Sequence, residues 1–248
     1  MKKTAICLLA LCLFSSCAKQ EQTKPEKIAR TIRHEEPKWL AYTDPKYPIS
    51  LQYPDFPALD IKNDQGQNEV QSGRLTEDSQ YDITVWTDLR TDFPQDIVDA
   101  AIDDDDGRSK IARLDLLRIE ICPPKLFKEG RVGAFARGES KEIVINSIPM
   151  LSVRDEEYPD LEYRNYYLAL IPGHYIFIEA LTGKYFDEDF PEISSRAAEL
   201  AQKTLKSIRW NQPINTNSQE FKDWKAHILS LIEESRRRPR VKTSIPPS

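Results

Sequence analysis

Cysteine is scarce in this sequence of 248 residues, which contains four of them. Three of the four, Cys7, Cys12 and Cys17, lie at the very beginning of the chain, so Cys122 stands alone in the rest of it. A disulfide within that part is excluded, and its fold must depend on a hydrophobic core. The run around Cys122 is apolar and has no histidine, which favours a structural role over a reactive thiol.

Histidine and glycine are also rare, at three and eight residues. His34, His174 and His227 stand far apart, so no His-x-x-x-His or Glu-x-x-His spacing exists for a metal ion. There is no Gly-x-Ser-x-Gly motif and no phosphate-binding glycine loop. The aspartates at 103–106 could gather around Ca²⁺, but they lack the spacing of an EF-hand loop, and we interpret them as a solvated helix end. We expect no metal, no cofactor and no catalytic residue.

An excess of basic charge is missing as well. The net charge is −5, and removing residues 1–16 takes away two lysines and no acid, which leaves −7. Nucleic acid is therefore not an expected partner, because its binding depends on many Lys and Arg contacts with phosphate. Acids number 40, and Glu139, Glu142 and Glu179 could meet in space, but no spacing selects a catalytic pair.

No apolar run is long enough to span a bilayer, which takes about 20 residues. The run 5–14 follows Lys2 and Lys3, a pattern typical of a cleaved signal peptide. It leads into Leu13-Phe14-Ser15-Ser16-Cys17, which resembles the lipobox of bacterial lipoproteins, with Phe14 in place of the usual aliphatic residue. The resemblance implies a lipoprotein signal peptide over 1–16 and lipidation of Cys17. Cleavage by the general signal peptidase is the alternative.

The residue after Cys17 is Ala18, not aspartate. In proteobacterial lipoproteins this pattern resembles that of proteins sent on to the outer membrane. Each buried methylene of a lipid anchor contributes about 0.8 kcal/mol, so several acyl chains hold a protein durably to a membrane. We expect a lipid-anchored protein of the bacterial cell envelope, in the outer membrane and facing the periplasm.

Composition divides the rest of the chain into four parts. Residues 17–38 are charged and poor in apolar side chains, which predicts a flexible tether. Residues 39–210 predict a single α+β domain. Residues 211–236 predict a linker and an amphipathic helix with Phe221 and Trp224 on its apolar stripe, beginning at Ser218 and capped by Asn217 and Glu220. Residues 237–248 predict a basic, disordered tail.

Periodicity predicts a sheet and two helices within the domain. Residues 94–102 and 189–208 have helical spacing, the second with a capping box at Asp189 and Glu192, and a polar hairpin or long loop is predicted over 60–78. The predicted strands are 49–53, 81–87, 111–121, 131–138, 142–153, 163–171 and 174–181. We expect 131–138 to pair with 142–153, and 163–171 to pair with 174–181 through a type II turn at Pro172-Gly173.

Three phrases within 39–210 resemble the PsbP-like fold. They are Tyr47-Pro48-Ile49-Ser50-Leu51-Gln52-Tyr53-Pro54, the hairpin after Tyr166-Tyr167, and Leu205-Lys206-Ser207-Ile208-Arg209-Trp210. The resemblance implies an α/β/α sandwich and a binding or assembly role, since members of this family are generally not enzymes. A shared fold does not name a ligand.

Two features could bind a partner. The exposed side of the C-terminal helix and the basic residues near the C-terminus could contact an anionic lipid surface or an acidic protein. The alternative is that the helix packs on the domain through Trp224 and that the tail is merely soluble. The basic residues are Arg236, Arg237, Arg238, Arg240 and Lys242. A group of aromatic residues could line a groove, although strand tyrosines more often fill core edges. The group comprises Tyr158, Tyr163, Tyr166, Tyr167, Tyr175, Phe177, Tyr185 and Phe186.

The sequence thus predicts an α+β protein with a mainly antiparallel sheet packed with helices, plus a C-terminal amphipathic helix. The expected function is that of a membrane-anchored envelope lipoprotein with a non-enzymatic binding or assembly-accessory role. Its expected partners are the membrane, through the lipid on Cys17, and an envelope protein. The alternatives are an enzyme acting on an envelope polymer and a lipoprotein that binds a small ligand.

Overall fold

The structure is a computed structural model that describes residues 34–57, 68–74, 80–101, 111–154, 164–182 and 190–238. All of them belong to one compact unit, Ile32–Ser248. The predicted signal peptide, Cys17, most of the predicted tether and the acidic run 103–106 lie outside the described residues.

The described residues form two antiparallel sheets and several helices. The strands are β1 (Lys38–Thr43), β2 (Ile49–Asp55), β3 (Glu69–Arg74), β4 (Tyr81–Thr87), β5 (Leu114–Cys122), β6 (Lys141–Ile145), β7 (Ile148–Arg154), β8 (Arg164–Ile171), β9 (His174–Leu181) and β10 (Arg209–Trp210). The helices are α1 (Gln95–Ala100), α2 (Pro124–Leu126), a π-helix (Phe127–Arg131), α3 (Val132–Arg137), α4 (Pro191–Ser207) and α5 (Gln219–Arg237). The large sheet has the order β3-β4-β5-β9-β8-β7-β6, and the small one β1-β2-β10. The predicted α+β class with a mainly antiparallel sheet is confirmed.

The hairpin of β8 and β9 forms where the sequence predicts it. Ile171 pairs with His174 across Pro172 and Gly173. Gly173 has a φ of 77°, the left-handed conformation that the third position of a type II turn requires. Proline at the second position presets the other half of the turn, so this dipeptide fixes the register of both strands.

The predicted strand 131–138 is wrong, because this segment is helical. Val132 and Phe135 are both buried, and their separation of three residues puts them on one face of α3. The π-helix precedes α3 directly and places Phe127 in the same apolar cluster. The segment is therefore a helix, because Val132 and Phe135, three residues apart, are buried together. The alternating pattern that suggested a strand does not correspond to its buried face.

The predicted strand 142–153 is a hairpin of β6 and β7. Ile145 pairs with Ile148 across Asn146 and Ser147, whose φ values are 46° and 67°. Two positive φ values are typical of the two-residue hairpin turn whose twist matches the flanking strands. The Asn146 side-chain amide also donates to the carbonyl of Ile208 at 2.9 Å, which ties the turn to the segment after α4.

A strand also lies inside the range 60–78, which the sequence predicts as a polar hairpin or long loop. This strand is β3, and it pairs with β4 along its whole length. The pattern hides it because β3 is an edge strand of the large sheet and four of its six residues are exposed. An edge strand with one solvated side does not need the apolar alternation of a core strand.

One face of the large sheet packs against α4 and the small sheet. Helix α4 contacts β2, β5 and β9. The buried side chains of this layer in α4 follow helical spacing; they are Ile193, Ala197, Leu200, Ala201 and Leu205. Pro191 occupies the first turn of α4, where its missing N–H costs no hydrogen bond. The main core therefore lies between α4 and the two sheets.

The opposite face packs against α3 and α5. Strand β8 shows the division, since Leu168 and Leu170 join the cluster on this face whereas Ala169 and Ile171 join the α4 side. Helix α5 contacts α3 and β8 and buries Phe221, Ile228 and Ile232. Helix α5 therefore docks on its own domain. Among the described residues, no helix combines the length and apolar character needed to cross a membrane.

The cap of α5 differs from the predicted one. The N-cap residue is Ser218, whose hydroxyl accepts a hydrogen bond from the backbone N–H of Phe221 at 3.1 Å. The sequence predicts Asn217 in that role. Serine is as good a cap as asparagine, and the extended backbone of Ser218 places its hydroxyl over the first turn.

Candidate functional site

A set of charged side chains lies on the α5 side of the large sheet, beside the apolar patch that α3 and α5 cover. We call it the charged cluster, and its members are Asp82, Asp115, Arg118, Glu120, Arg131, Arg164 and Glu179. Strand register explains the grouping, because Glu120 lies opposite Asp82 on one neighbour and Arg118 lies opposite Glu179 on the other. Side chains two apart in a strand share a face. Arg131 reaches the cluster from the π-helix.

Glu120 is at the centre of the cluster. Its side chain has no exposed surface, and its Oε1 atom contacts both Arg131 and Arg118, the latter with Nε at 3.2 Å. Arg118 also reaches Asp82, whose Oδ2 lies 2.6 Å from Nη2. Gln80 donates to the same Oε1 atom at 3.2 Å. One buried carboxylate thus collects two guanidinium groups and an amide.

Glu179 joins this centre to the other half of the cluster. Its Oε1 atom lies 3.6 Å from Nη1 of Arg131, and its Oε2 atom lies 3.9 Å from Nε of Arg164. Arg164 in turn contacts Asp115, with 3.3 Å between Nη2 and Oδ2. The cluster is continuous across β4, β5, β9 and β8, and its four carboxylates slightly outnumber its three guanidinium groups.

Burial raises the pKa of two of these carboxyl groups. Desolvation raises the pKa of Glu120 above its usual value, and Arg131 and Arg118 only partly offset this effect. Desolvation also raises the pKa of Asp115, against the opposing charge of Arg164. Carboxylates with raised pKa values in a polar recess are one mark of functional sites, although structural ion-pair networks produce them too.

Five buried polar atoms in or beside the cluster have no hydrogen-bond partner within the described part of the chain. They are Oδ1 of Asp82, Nε1 of Trp86, Oδ1 of Asp115, Oε2 of Glu120 and Nη1 of Arg164. Two more are found elsewhere in that part, on Thr204 and Trp224. Buried polar groups are nearly always paired in native proteins. Most of the unpaired buried polar atoms of the described residues are therefore found in or beside the charged cluster.

Cys122 borders the cluster but does not supply it with a nucleophile. Burial, with a further contribution from Glu120, raises the pKa of its thiol to about 12. A thiol with such a pKa is protonated at neutral pH, and the thiolate is the reactive form. The structural role predicted for Cys122 agrees with this environment, in which the side chain is buried beside Phe127 and Phe177.

The three glutamates considered from the sequence do not share a site. Glu179 is a member of the charged cluster. Glu142 is exposed and pairs with Lys225 of α5, with 2.6 Å between Oε1 and Nζ. Glu139 is exposed in the segment between α3 and β6. Its partners are Arg131 of the π-helix and Arg164 of β8, a meeting that spacing along the chain could not reveal.

The three histidines also occupy separate places. His34 Nδ1 lies 3.1 Å from Oδ2 of Asp92. His174 Nδ1 lies 3.0 Å from the carbonyl oxygen of Pro172. His227 Nε2 lies 2.9 Å from the hydroxyl of Tyr175. Within the ranges that the structure describes, no group of three His, Cys, Asp or Glu side chains is arranged to hold a metal ion.

The basic residues predicted to bind a partner are engaged within the chain where they are described. Arg236 points its guanidinium at the carbonyl oxygens that end α3, at 3.4 Å from Phe135 and 3.3 Å from Gly138. Arg237 and Arg238 each bond a glutamate four residues earlier in α5, at 3.2 and 3.1 Å. Arg240 and Lys242 lie outside the described residues. Arg236 thus joins the end of α5 to α3, whereas Arg237 and Arg238 form exposed ion pairs at the end of α5.

The described members of the predicted aromatic group lie on both faces of the large sheet. Tyr167 points to the α4 side of the sheet, whereas Tyr166, Tyr175 and Phe177 lie on the α5 side. Tyr166 stacks on Phe177 with 5.6 Å between ring centroids. Tyr158, Tyr163, Tyr185 and Phe186 lie outside the described residues.

An open groove of about 580 Å³ lies between the β8–β9 turn and the first turns of α5. We call it the α5 groove, and it is lined by Pro172, Gly173, Gln219, Glu220, Asp223, Trp224 and His227. The sequence does not reveal this groove, because the turn and the helix are almost 50 residues apart. The usable signal was the helical spacing of Glu220, Trp224 and His227, which places them on neighbouring positions of one helix face.

The chain matches no protein-family model, no curated protein and no solved structure.

Proposed function

We propose that this chain is a lipid-anchored protein of the bacterial cell envelope that binds a partner and is not an enzyme. The lipobox-like segment ending at Cys17 supports the anchor, and Ala18 supports an outer-membrane position facing the periplasm. The PsbP-like fold is part of the proposal. It is supported by the helices on both faces of the large sheet, with α4 on one side and α3 and α5 on the other.

The observation that carries the binding role is the charged cluster. Each of its three arginines is held by carboxylates, and arginine stays protonated at all relevant pH values. Arginine and carboxylate side chains that hold one another have defined orientations. They can therefore form ion pairs of defined geometry with carboxylate or guanidinium groups of a partner. Exposed fractions of 33% for Arg118 and 27% for Asp82 leave part of the cluster open to solvent.

The second candidate function is an enzyme acting on an envelope polymer. The raised pKa values of Glu120 and Asp115 favour it, because general acids have raised pKa values. The geometry supports binding better. The Glu120 side chain has no exposed surface and contacts two arginines, so a substrate proton cannot reach it without rearrangement of the ion pairs.

The anchor is tested by metabolic labelling with an alkyne-bearing fatty acid in cells that express the full chain. Cys17→Ala should abolish the label and release the protein from membranes, whereas Cys122→Ala should leave both unchanged. Label that persists in Cys17→Ala would refute the anchor at this residue. Inhibition of the lipoprotein signal peptidase should cause the uncleaved precursor to accumulate.

The binding role is tested by crosslinking in intact envelopes, affinity capture and mass spectrometry. The informative variant is Arg118→Gln with Asp82→Asn, which keeps the net charge and removes the Arg118–Asp82 pair together with the contact between Arg118 and Glu120. The matched control is Lys203→Gln with Glu36→Gln, an exposed pair on the α4 side of the domain with 2.7 Å between Nζ and Oε1. A partner lost in the first variant and kept in the second supports the cluster as the binding surface. Equal recovery in both would refute that assignment.

A further inference from the structure

The α5 groove combines aromatic rings with negative charge. Trp224 and His227 form its aromatic lining, with 5.5 Å between their ring centroids. Tyr175 lies behind them, 4.9 Å from Trp224 between ring centroids. Glu220 and Asp223 line the same groove, and no lysine or arginine is among its lining residues.

Trp224 offers the groove its ring surface and not its N–H group. The Nε1 atom is buried and has no hydrogen-bond partner among the described residues, whereas the residue as a whole is partly exposed. The exposed part of the indole must therefore be carbon surface. A tryptophan ring carries negative potential on its faces and attracts cations within about 6 Å of the ring centroid.

The hydrogen bond between His227 and Tyr175 holds the aromatic lining in place. The 2.9 Å contact joins Nε2 to the phenolic oxygen and fixes the ring of His227 against β9. Asp223 is oriented by Gln219, whose amide donates to Oδ1 at 2.8 Å. The nearby cation Lys225 is neutralised by Glu142. The groove thus presents fixed rings and two carboxylates.

We infer that the α5 groove binds the ammonium group of a small organic cation, held over the indole of Trp224 and neutralised by Glu220 and Asp223. Aromatic ring faces are a known means of recognising quaternary ammonium groups, and adjacent carboxylates add attraction by opposite charge. The volume of about 580 Å³ falls within the range of small-molecule sites, roughly 300 to 1,000 Å³. This site is separate from the charged cluster, so its failure would leave the proposed partner-binding role standing.

The test is calorimetric titration of the full chain, in detergent micelles, with choline chloride. Sodium chloride controls for ionic strength, and 3,3-dimethylbutan-1-ol has the shape of choline without its charge. We expect choline to bind with a Kd on the order of 1 mM, as a ligand of few atoms allows, and the neutral analogue to bind at least tenfold more weakly. Equal affinity for choline and for its neutral analogue would overturn the inference. So would the absence of choline binding at a concentration about 50 times the expected Kd.

Substitutions in the α5 groove measure the contributions of its carboxylates and its aromatic rings to choline binding separately. Asp223→Asn and Glu220→Gln remove charge from exposed positions and should each weaken choline binding about three- to tenfold. Trp224→Leu should weaken it at least tenfold. Asp99→Asn, on the exposed surface of α1, should leave it unchanged. Since Trp224 also packs against the domain, the two acid variants decide the matter if Trp224→Leu fails to fold, and unchanged affinity in both would refute the site.

The source of the ammonium group is distinguished by a second arm of the experiment. Phosphatidylcholine and phosphatidylglycerol, each dissolved in the detergent micelles that hold the chain, are compared as competitors of choline binding. Competition by phosphatidylcholine alone would identify a lipid headgroup as the ligand source. Competition by neither would identify a free organic cation.

Discussion

Asp44 joins the two sheets, and its replacement by alanine tests how much this polar junction contributes to the fold. Asp44 is the first residue after β1, and it is 5% exposed. Oδ1 accepts hydrogen bonds from the backbone N–H groups of Lys46 at 2.9 Å and Tyr47 at 2.8 Å. Oδ2 accepts from the hydroxyls of Tyr42 and Tyr81, both at 2.9 Å. Since Tyr81 belongs to β4, the carboxylate fastens the large sheet to the loop between β1 and β2.

The expected loss follows from these four contacts. A hydrogen bond to a charged group contributes about 1.5–3 kcal/mol. The contacts share one carboxylate and are not additive, and the two N–H groups lie in a loop where water can replace the lost acceptor. We therefore expect Asp44→Ala to lower the free energy of unfolding by about 3 kcal/mol.

The loss should depend on pH in a defined direction. Burial is the largest single influence on Asp44 and raises its pKa, but the N–H groups of Tyr47 and Lys46 and the hydroxyls of Tyr81 and Tyr42 together lower it below the usual value. Because the folded-state pKa is lower than the unfolded one, the stabilisation is present above about pH 3.9. It is lost as pH falls through the folded-state pKa. The difference between wild type and Asp44→Ala should therefore shrink toward low pH.

The measurement is urea unfolding followed by circular dichroism, with midpoints compared at pH 7 and at steps down to pH 3. Asp99→Ala is the matched control, an exposed aspartate on α1 whose loss should stay within about 0.5 kcal/mol. A loss below about 1 kcal/mol for Asp44→Ala, or a loss that stays constant between pH 7 and pH 3, would refute the assigned role of the carboxylate.

Three further changes have defined outcomes. Arg196→Met removes the guanidinium whose Nε lies 2.7 Å from the buried carboxylate of Asp92, which keeps its contact with His34, and should cost about 3 kcal/mol in urea unfolding; a gain in stability would contradict this. Gly173→Ala forces a side chain into a φ of 77° and should cost about 1–2 kcal/mol, measured likewise, although no atom obstructs the new Cβ. Cys122, whose pKa burial raises to about 12, should react with a thiol reagent at pH 8 only as fast as the protein unfolds, and fast labelling of the native state would contradict its burial.

Local chemistry made part of the fold predictable. The hairpin of β8 and β9 follows from Pro172-Gly173, because that dipeptide restricts the backbone without help from the rest of the molecule. Helix α4 follows from apolar spacing over its five turns. In both segments the local preference and the buried face agree, so periodicity is sufficient to identify the element.

The segment 131–138 shows where local reasoning fails. Its residues fit either an alternating or a three-residue spacing, and only packing of Val132 and Phe135 against the sheet decides between them. The charged cluster could not be predicted from the sequence for a related reason. Its members come from four strands and a π-helix, and their meeting depends on a register that turns and bulges determine, such as the irregularity between Val85 and Trp86.

Strand β9 connects the two sites on the α5 side of the sheet. Its residues alternate, so Tyr175, Phe177 and Glu179 point the same way, toward the α5 groove, the apolar layer and the charged cluster in turn. Four residues of strand span about 13 Å, and Phe177 between them is buried, with the guanidinium of Arg131 lying 5.2 Å from its ring centroid. A close-packed core residue of this kind resists displacement. A cation bound in the α5 groove and a charged partner bound at the charged cluster, as we propose, would therefore occupy separate surfaces and would not compete.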